Sequence, residues 1–430
     1  MRNTGYRILA QNHTTSNDTW ATGRNNNDLI IGPSGAGKTR GYVLPNILQC
    51  NESLIVTDTK GALHGQVGHV LERHGYDVMC INLSDCLASP WGYNPLEYVR
   101  YDGKRDKYSE QDIMTVAAAI VPDEPRNDDP YWHRAARMLL ESLISYVLEC
   151  LPEDEHDLTS VVKLFGCLND GTFDRLTTEL GDIDPDSFAV SRYKMCASCR
   201  QADRMWASVI GILAEKLSVL TFDGAKALLT NPQRIDFRAL GRHKTAVFLE
   251  ISDTDRSMDR LAGLFYSQAL HVLSDEADHS PGHRLAVPVR LILDDFAAGA
   301  PIEDFDKITS VIRSREISVS IILQSVTQLE ALYGAARAAT IINNCDQLLY
   351  LGGQDVGTAR LISTKANKSI NTILQMPLSD AWLFVRGQQP QQVHKYALAA
   401  HPLYHELPEG RTMPPAEIQE PTRDEAEVAA

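Results

Sequence analysis

Asp28-Leu29-Ile30-Ile31-Gly32-Pro33-Ser34-Gly35-Ala36-Gly37-Lys38-Thr39 decides the fold. An apolar strand, Leu29 to Ile31, runs into Gly32-x-x-x-x-Gly37-Lys38-Thr39, the spacing of a phosphate-binding loop. Glycines at 32, 35 and 37 let the backbone adopt conformations closed to other residues. Successive N–H groups from Gly32, Ser34, Gly35, Ala36 and Gly37 onward can then turn inward on phosphate oxygens. The helix that follows offers its positive end to the same anion. Lys38 is placed to reach the β/γ-phosphates, and the Thr39 hydroxyl to ligate Mg²⁺. The pattern implies a bound nucleoside triphosphate, with ATP and Mg²⁺ as the expected pair.

Such a loop needs an acidic partner at the tip of another buried strand. Val289-Arg290-Leu291-Ile292-Leu293-Asp294-Asp295 supplies one. It brings two carboxylates out at the carboxyl end of a strand, where ligands bind in open α/β sheets. Asp294 is the expected Mg²⁺ residue, and Asp295 the group that orients or deprotonates the attacking water; a simple cap on the next helix would also account for the pair. Strand Ser318–Leu323 ends in Gln324, an amide suited to sensing the γ-phosphate, or to capping a helix. Arg313 and Arg315 stand just before that strand. Multisubunit phosphate-loop motors often complete the site with an arginine from a neighbouring subunit, which makes Arg313 and Arg315 both candidates, although a helix end favoured by the dipole would also use arginines there. Lys60, in Asp58-Thr59-Lys60-Gly61, reads either as a residue near the nucleotide or a subunit boundary, or as part of a plain turn.

Further apolar runs, Ser53–Thr57, Asp77–Asn82, Thr245–Ile251, Gln347–Leu351 and Ala381–Val385, alternate with helical patterns such as Asp259–Leu273 and Asp304–Arg315. Their richness in Val, Ile and Leu predicts a mostly parallel sheet covered on both faces. Between residues 104 and 238 the period changes to three and four residues, in Gln111–Ile120, Tyr131–Glu149, Leu158–Leu168 and Arg204–Leu217. The expected organisation is a polar, loosely structured arm (1–27), one α/β domain in two pieces (28–103 and 239–400), an inserted all-α domain (104–238), and an acidic, disordered tail (401–430) rich in Pro and Glu.

The chain has 430 residues, with hydrophobic content 43% and charged content 23%, ordinary for a globular protein. A net charge of −15 means that a polyanion must meet local basic loops or a ring-shaped channel rather than the average field. The eight cysteines, with one lone Cys196-x-x-Cys199 pair, read as ordinary reduced thiols rather than a zinc site. No stretch approaches 18 apolar residues, so no transmembrane segment is expected.

These residues resemble the VirD/TraG-type coupling ATPases of type IV secretion and bacterial conjugation. The likeness rests on an ordered set: Asn25-Asn26-Asn27, Lys38-Thr39-Arg40 with Pro45-Asn46, Thr57-Asp58-Thr59-Lys60-Gly61, Tyr131-Trp132, Leu293-Asp294-Asp295-Phe296, and Arg313-Ser314-Arg315. Ile321-Ile322-Leu323-Gln324-Ser325, Gln328-Leu329, Tyr333-Gly334 and Leu349-Tyr350-Leu351-Gly352-Gly353 complete it. The resemblance spans roughly residues 20–400. It implies an α/β, RecA-like P-loop NTPase with an inserted all-α domain, assembled as a hexamer. It also implies DNA-stimulated ATP hydrolysis that drives single- or double-stranded DNA toward a type IV secretion channel. The helical insertion would meet a relaxase and accessory DNA-processing proteins, on the cytoplasmic side of the membrane. By position, Lys38 and Thr39 match the family's phosphate and Mg²⁺ residues, Asp294 its Mg²⁺ carboxylate, Arg313 its trans-acting arginine, and Gln324 its sensor.

There are departures. The family usually has Glu where this chain has Asp295, one methylene shorter, so that the carboxylate sits about 1.5 Å back; shifts of about 1 Å can cost on the order of a hundredfold in rate. Glu316 stands where glycine is common and is placed to pair with Arg313 or Arg315. The membrane anchor that most relatives carry ahead of the arm is not seen. A nucleotide-switched adaptor with weak or no hydrolysis, and a motor for protein cargo, are the competing expectations.

Overall fold

The computed structural model describes residues 5–122, 130–201, 203–299 and 301–411. Nine strands build one sheet: β1 (Asp28–Ile31), β2 (Ser53–Asp58), β3 (Asp77–Asn82), β4 (Thr245–Glu250), β5 (Val289–Leu293), β6 (Ile317–Leu323), β7 (Gln347–Tyr350), β8 (Asp380–Val385) and β9 (Gln391–His394). Their spatial order is β9-β8-β7-β1-β6-β5-β2-β4-β3. The seven strands from β7 to β3 run parallel, and β8 and β9 complete one edge as antiparallel strands. The register aligns Ile31 with Leu323 and Tyr350, and Leu293 with Ile321. The strands therefore finish along one shared carboxyl edge.

Residues alternate across the sheet as period two demands. Leu29, Ile31, Leu291, Leu293, Val319 and Ile321 pack on one side with Phe265 and Leu270 of the helix Asp259–His279. Ile30, Ile292 and Ile322 pack on the other side with Val43, Ile47 and Val67. The fold is the expected RecA-like α/β architecture with a mostly parallel sheet. A separate apolar cluster forms around the helix Pro130–Cys150, where Leu139, Leu143 and Ile144 meet Phe173, Val209 and Leu213. Serine and aspartate caps open several of its helices: Ser109 before Glu110–Ile120, Asp157 before Leu158–Gly166, and Ser187 before Phe188–Ala197. Thr172–Ile183, Phe188–Ala197 and Asp223–Thr230 are helices that the apolar spacing did not single out. No single helix among the described residues is long and apolar enough to cross a membrane.

Two stretches differ from the sequence expectation. The arm is not loose: Tyr6–Ala10 and His13–Ser16 form an antiparallel hairpin, and a four-residue helix, Thr19–Thr22, follows. The hairpin is ordered by charge burial. Arg7 is buried and grips Asp28 with Nε at 2.8 Å and Nη2 at 3.2 Å, while Nη1 donates to Asn17 at 2.8 Å. Residues 401–411, assigned to the tail, are folded as well. Leu398 and Leu407 join the core beside the phosphate-loop helix, Glu406 pairs with Arg73 at 2.7 Å, and Glu409 with Arg40 at 2.7 Å. Leu407 in the core, with Leu403 and Tyr404 packed against it, anchors this segment. Residues 412–430, the rest of the expected tail, lie outside the described residues.

Asp28 belongs to a wider buried cluster. Arg290, fully buried on β5, reaches Asp28 at 3.6 Å, pairs with Glu52, and donates to the Asn26 carbonyl at 3.0 Å. Burial works against the Arg290 charge, but Glu52, Asp28 and Tyr42 together hold its pKa above the ordinary value. Two arginines and two carboxylates balance. Removing one member leaves a charge uncompensated in the interior, which is costly. Arg7→Ala is expected to lower the unfolding free energy by about 3 kcal/mol, read as a shift of the urea midpoint without a change of slope.

Candidate active site

The first β-to-α junction has the geometry of an anion cradle. Gly32 donates its N–H to Leu323 O at 3.0 Å, which ties the loop to β6. A Cβ at Gly32 would fall 2.9 Å from Leu351 and 3.0 Å from Ala36, so only glycine fits. Gly35 and Gly37 have φ of 78° and 89°, and a Cβ at either would meet nothing within 4 Å. Pro33, Ser34, Gly35 and Gly37 are exposed, with Ala36 partly covered. The loop is thus open above and packed below. Lys38 is buried and folded back, donating to Gly32 O at 2.9 Å and Pro33 O at 3.2 Å. The ammonium occupies the middle of the loop, where its charge faces any anion that enters.

Asp294, immediately after β5, meets this loop: Thr39 Oγ1 donates to Asp294 Oδ2 at 3.3 Å. Burial pushes the Asp294 carboxyl up to about 6, with the Asp295 charge adding to the effect; Lys38, the Asp295 N–H and the Thr39 hydroxyl oppose it. Asp295 lies 3.8 Å from Lys38 Nζ and accepts from Gln324 Nε2 at 3.4 Å. Its backbone has φ 46°, a left-handed conformation in which Asp is among the least disfavoured of residues with a side chain. Lys38, Thr39, Asp294, Asp295 and Gln324 therefore converge on one edge. A divalent cation would find a hydroxyl and a carboxylate already side by side, and water would find a carboxylate and an amide.

The other singled-out residues lie elsewhere. Arg313 is at the opposite end of β6 and donates Nη2 to Thr19 O of the arm at 2.9 Å. Arg315 forms a two-pronged pair with Asp278, both contacts at 2.8 Å. Glu316 has φ 62°, the backbone region that suits the glycine common there among the resembled proteins. Lys60 is exposed in its turn. The turn is held by buried Asp58, whose carboxylate accepts the N–H groups of Lys60, Ala62, Leu63 and His64 and so caps the helix Leu63–Arg73. Cys196 is buried in the helical core with Sγ 3.3 Å from Ala135 O. One residue of the site escaped sequence reading. Lys395, just beyond β9, donates to Ala36 O of the loop at 3.0 Å, and burial lowers its pKa. A lysine after a short edge strand carries no sequence signal of its own.

Residues 2–373 match the family model described as type IV secretory system conjugative DNA transfer. Conjugal transfer protein TraG of Escherichia coli is 23% identical over 337 residues, covering 74% of this chain and 51% of that protein. Protein VirD4 of Rhizobium radiobacter is 23% identical over 350 residues, covering 79% and 48%. The chain thus spans about half the length of these relatives. Among solved structures, the bacterial conjugative coupling protein TrwBdeltaN70 with sulphate superposes with a TM-score of 0.64 at 18% identity, over 86% of this chain and 85% of that one. TrwB with the non-hydrolysable ATP analogue ADPNP superposes at 0.63, with the same identity and coverage. On its matched sequence and the fold it shares with TrwB, the chain belongs to the type IV secretory system conjugative DNA transfer family.

Proposed function

We propose that the chain is an ATP-driven coupling motor that links a DNA-processing complex to a type IV secretion channel and drives conjugative DNA transfer. The observation that carries this reading is the meeting of the Thr39 hydroxyl and the Asp294 carboxylate beside a loop whose two left-handed glycines leave open space above them. Related proteins named for conjugal transfer, and TrwB structures holding ADPNP or ADP with Mg²⁺, support it.

In this reading the loop backbone and Lys38 bind the triphosphate, and Thr39 and Asp294 hold Mg²⁺, which supplies charge neutralisation at the phosphates. Asp295 accepts a proton from, or orients, the attacking water, and Gln324 positions it. Residues 28–103 and 239–400 form the motor. The inserted helices, 104–238, face the relaxase and accessory proteins at the cytoplasmic face of the membrane. Arg313 serves a neighbouring copy in a hexameric ring that encloses DNA. The shortened carboxylate at Asp295 favours one alternative, an adaptor that binds nucleotide as an assembly switch and hydrolyses it slowly.

The direct test is ATP turnover with and without DNA at fixed salt, because contacts to phosphates are steeply salt-dependent. Turnover is expected to rise with DNA, and Lys38→Ala to lower it on the order of a hundredfold or more; turnover indifferent to DNA at low and moderate salt would overturn the motor. Arg313→Ala is expected to reduce turnover by about a thousandfold while sparing ATP binding. In mixed assemblies it should also poison wild-type copies; independence of the two populations would remove the trans assignment.

Asp294 yields a pH prediction. In the folded chain it keeps its proton up to about pH 6, but unfolded only to about 4. Between those values the folded state holds a proton that the unfolded state has released, so this carboxyl lowers stability as pH rises through the window, and its full cost is present above it. Asp294→Asn should therefore stabilise the nucleotide-free protein at pH 7.5, by on the order of 2 kcal/mol, with little effect at pH 4. Thermal midpoints at the two pH values check this.

A further inference from the structure

Beneath the site, a strand level below Gly32, Asp294 and Gln324, lies a buried polar relay. The residues after Thr39 form a widened helical turn, in which the Leu44 N–H reaches back to the Thr39 carbonyl. Tyr42, on that turn, is fully buried. Its hydroxyl donates to Asp28 Oδ2 in a short contact and lies 2.9 Å from Ser320 Oγ. Ser320 in turn accepts from Arg290 at 3.1 Å. A phenol has one proton to give. With that proton on Asp28, the Ser320 hydroxyl donates to Tyr42. The path runs Arg290 to Ser320 to Tyr42 to Asp28, and Arg7 of the arm closes it from the other side. Burial, followed by the Asp28 charge, raises the Tyr42 pKa well above its ordinary value, so the phenol remains a donor at any working pH.

The placement of these anchors is regular. Asp28 is four residues before Gly32 on β1, Arg290 four before Asp294 on β5, and Ser320 four before Gln324 on β6. Four residues along a strand is about 13 Å. Each strand that presents a site residue at its tip is thus held one level below by the same cluster. Tyr42 is the only contribution to that relay from the helix that carries Lys38 and Thr39. One turn further on, Asn46 donates to Tyr42 O at 2.8 Å and to Ile8 O at 2.9 Å, and accepts from Ile8 N at 2.9 Å. That exchange fastens the hairpin to the same helix.

We propose that Tyr42 is a positioning residue that seats the phosphate-loop helix against the strands carrying Asp294 and Gln324, with Arg7 of the arm as its lock. The inference rests on the ATPase reading above and deepens it. In that reading the loop backbone and Lys38 hold the phosphates without help from the Tyr42 hydroxyl, so losing it should leave affinity intact. It loosens the distance between Thr39 and Asp294, to which catalysis is far more sensitive.

The test compares Tyr42→Phe, Ser320→Ala and Tyr98→Phe with the wild type, measuring ATP affinity by equilibrium dialysis and turnover separately. Tyr98→Phe is the control: it also removes a buried phenol hydrogen bond, to Ile235 O, but far from this helix. Tyr42→Phe is expected to lower kcat by about tenfold to a hundredfold with ATP affinity within threefold of wild type, Ser320→Ala to act in the same direction by about threefold, and Tyr98→Phe to change neither. Wild-type kcat in Tyr42→Phe, a parallel loss of affinity, or an equal loss in Tyr98→Phe overturns the inference alone. Should Tyr42→Phe fail to fold, unchanged turnover in Ser320→Ala overturns it. Absence of turnover in the wild type removes the ATPase reading, and this inference with it.

Discussion

Thr39 and Asp294 are 255 residues apart in the chain, and their side chains meet at 3.3 Å. That contact depends on two strands, β1 and β5, ending level on the same edge of a parallel sheet with β6 between them. The parallel arrangement demands crossovers, and the crossovers cover both faces, which is why the strands are mainly apolar. A one-residue slip of β5 would turn Asp294 to the other face and bury Leu293 out of phase. The packing of Leu291 and Leu293 on one side and Ile292 on the other forbids that slip. The chemistry at the edge is thus specified by hydrophobic register several residues away from it.

Much of this was legible because the signals are local or periodic. The Gly32 to Thr39 spacing, the apolar run ending in Asp294-Asp295, and the run ending in Gln324 each carry their reading within a dozen residues, and the structure brings these three tips together. What escaped was non-local. Arg7 looks like any polar residue of an arm until Asp28 is found beside it. Arg290 interrupts an apolar strand, a visible irregularity, but its partners Glu52 and Asp28 come from two other strands' approaches. Lys395 reaches the loop from the far edge of the sheet. Residues 401–411 were obscured by the Pro- and Glu-rich stretch they open: within them Leu403 and Leu407 stand against Pro402, Pro408, Glu406 and Glu409, and those leucines decide the packing.

The acidic balance of the chain is compatible with a nucleic-acid motor on simple electrostatic grounds. At physiological salt the screening length is about 8 Å, so a phosphate senses the few side chains around it rather than a net charge of −15. Many of the chain's carboxylates are also engaged at short range. Asp278 is neutralised by Arg315, Glu276 by Arg242, and Asp112 by Arg100. A strongly acidic total is a poor guide to the potential inside an enclosed channel, where only the residues facing inward count.

Arg313 adds a constraint on assembly. It sits at the start of β6, and the seven residues of that strand separate it from Gln324 by about 20 Å. An arginine side chain cannot cover that span, so in the reading proposed here Arg313 can act only on a neighbouring copy. Its present partner, the Thr19 carbonyl, belongs to the arm. The same arm carries Arg7, which holds Asp28 beneath the phosphate loop. In that reading one short segment touches both the group offered to the neighbour and the support of the chain's own site. In the proposed ring, a displacement of the arm would be felt in two places at once, which is a physical requirement for copies to sense one another's state.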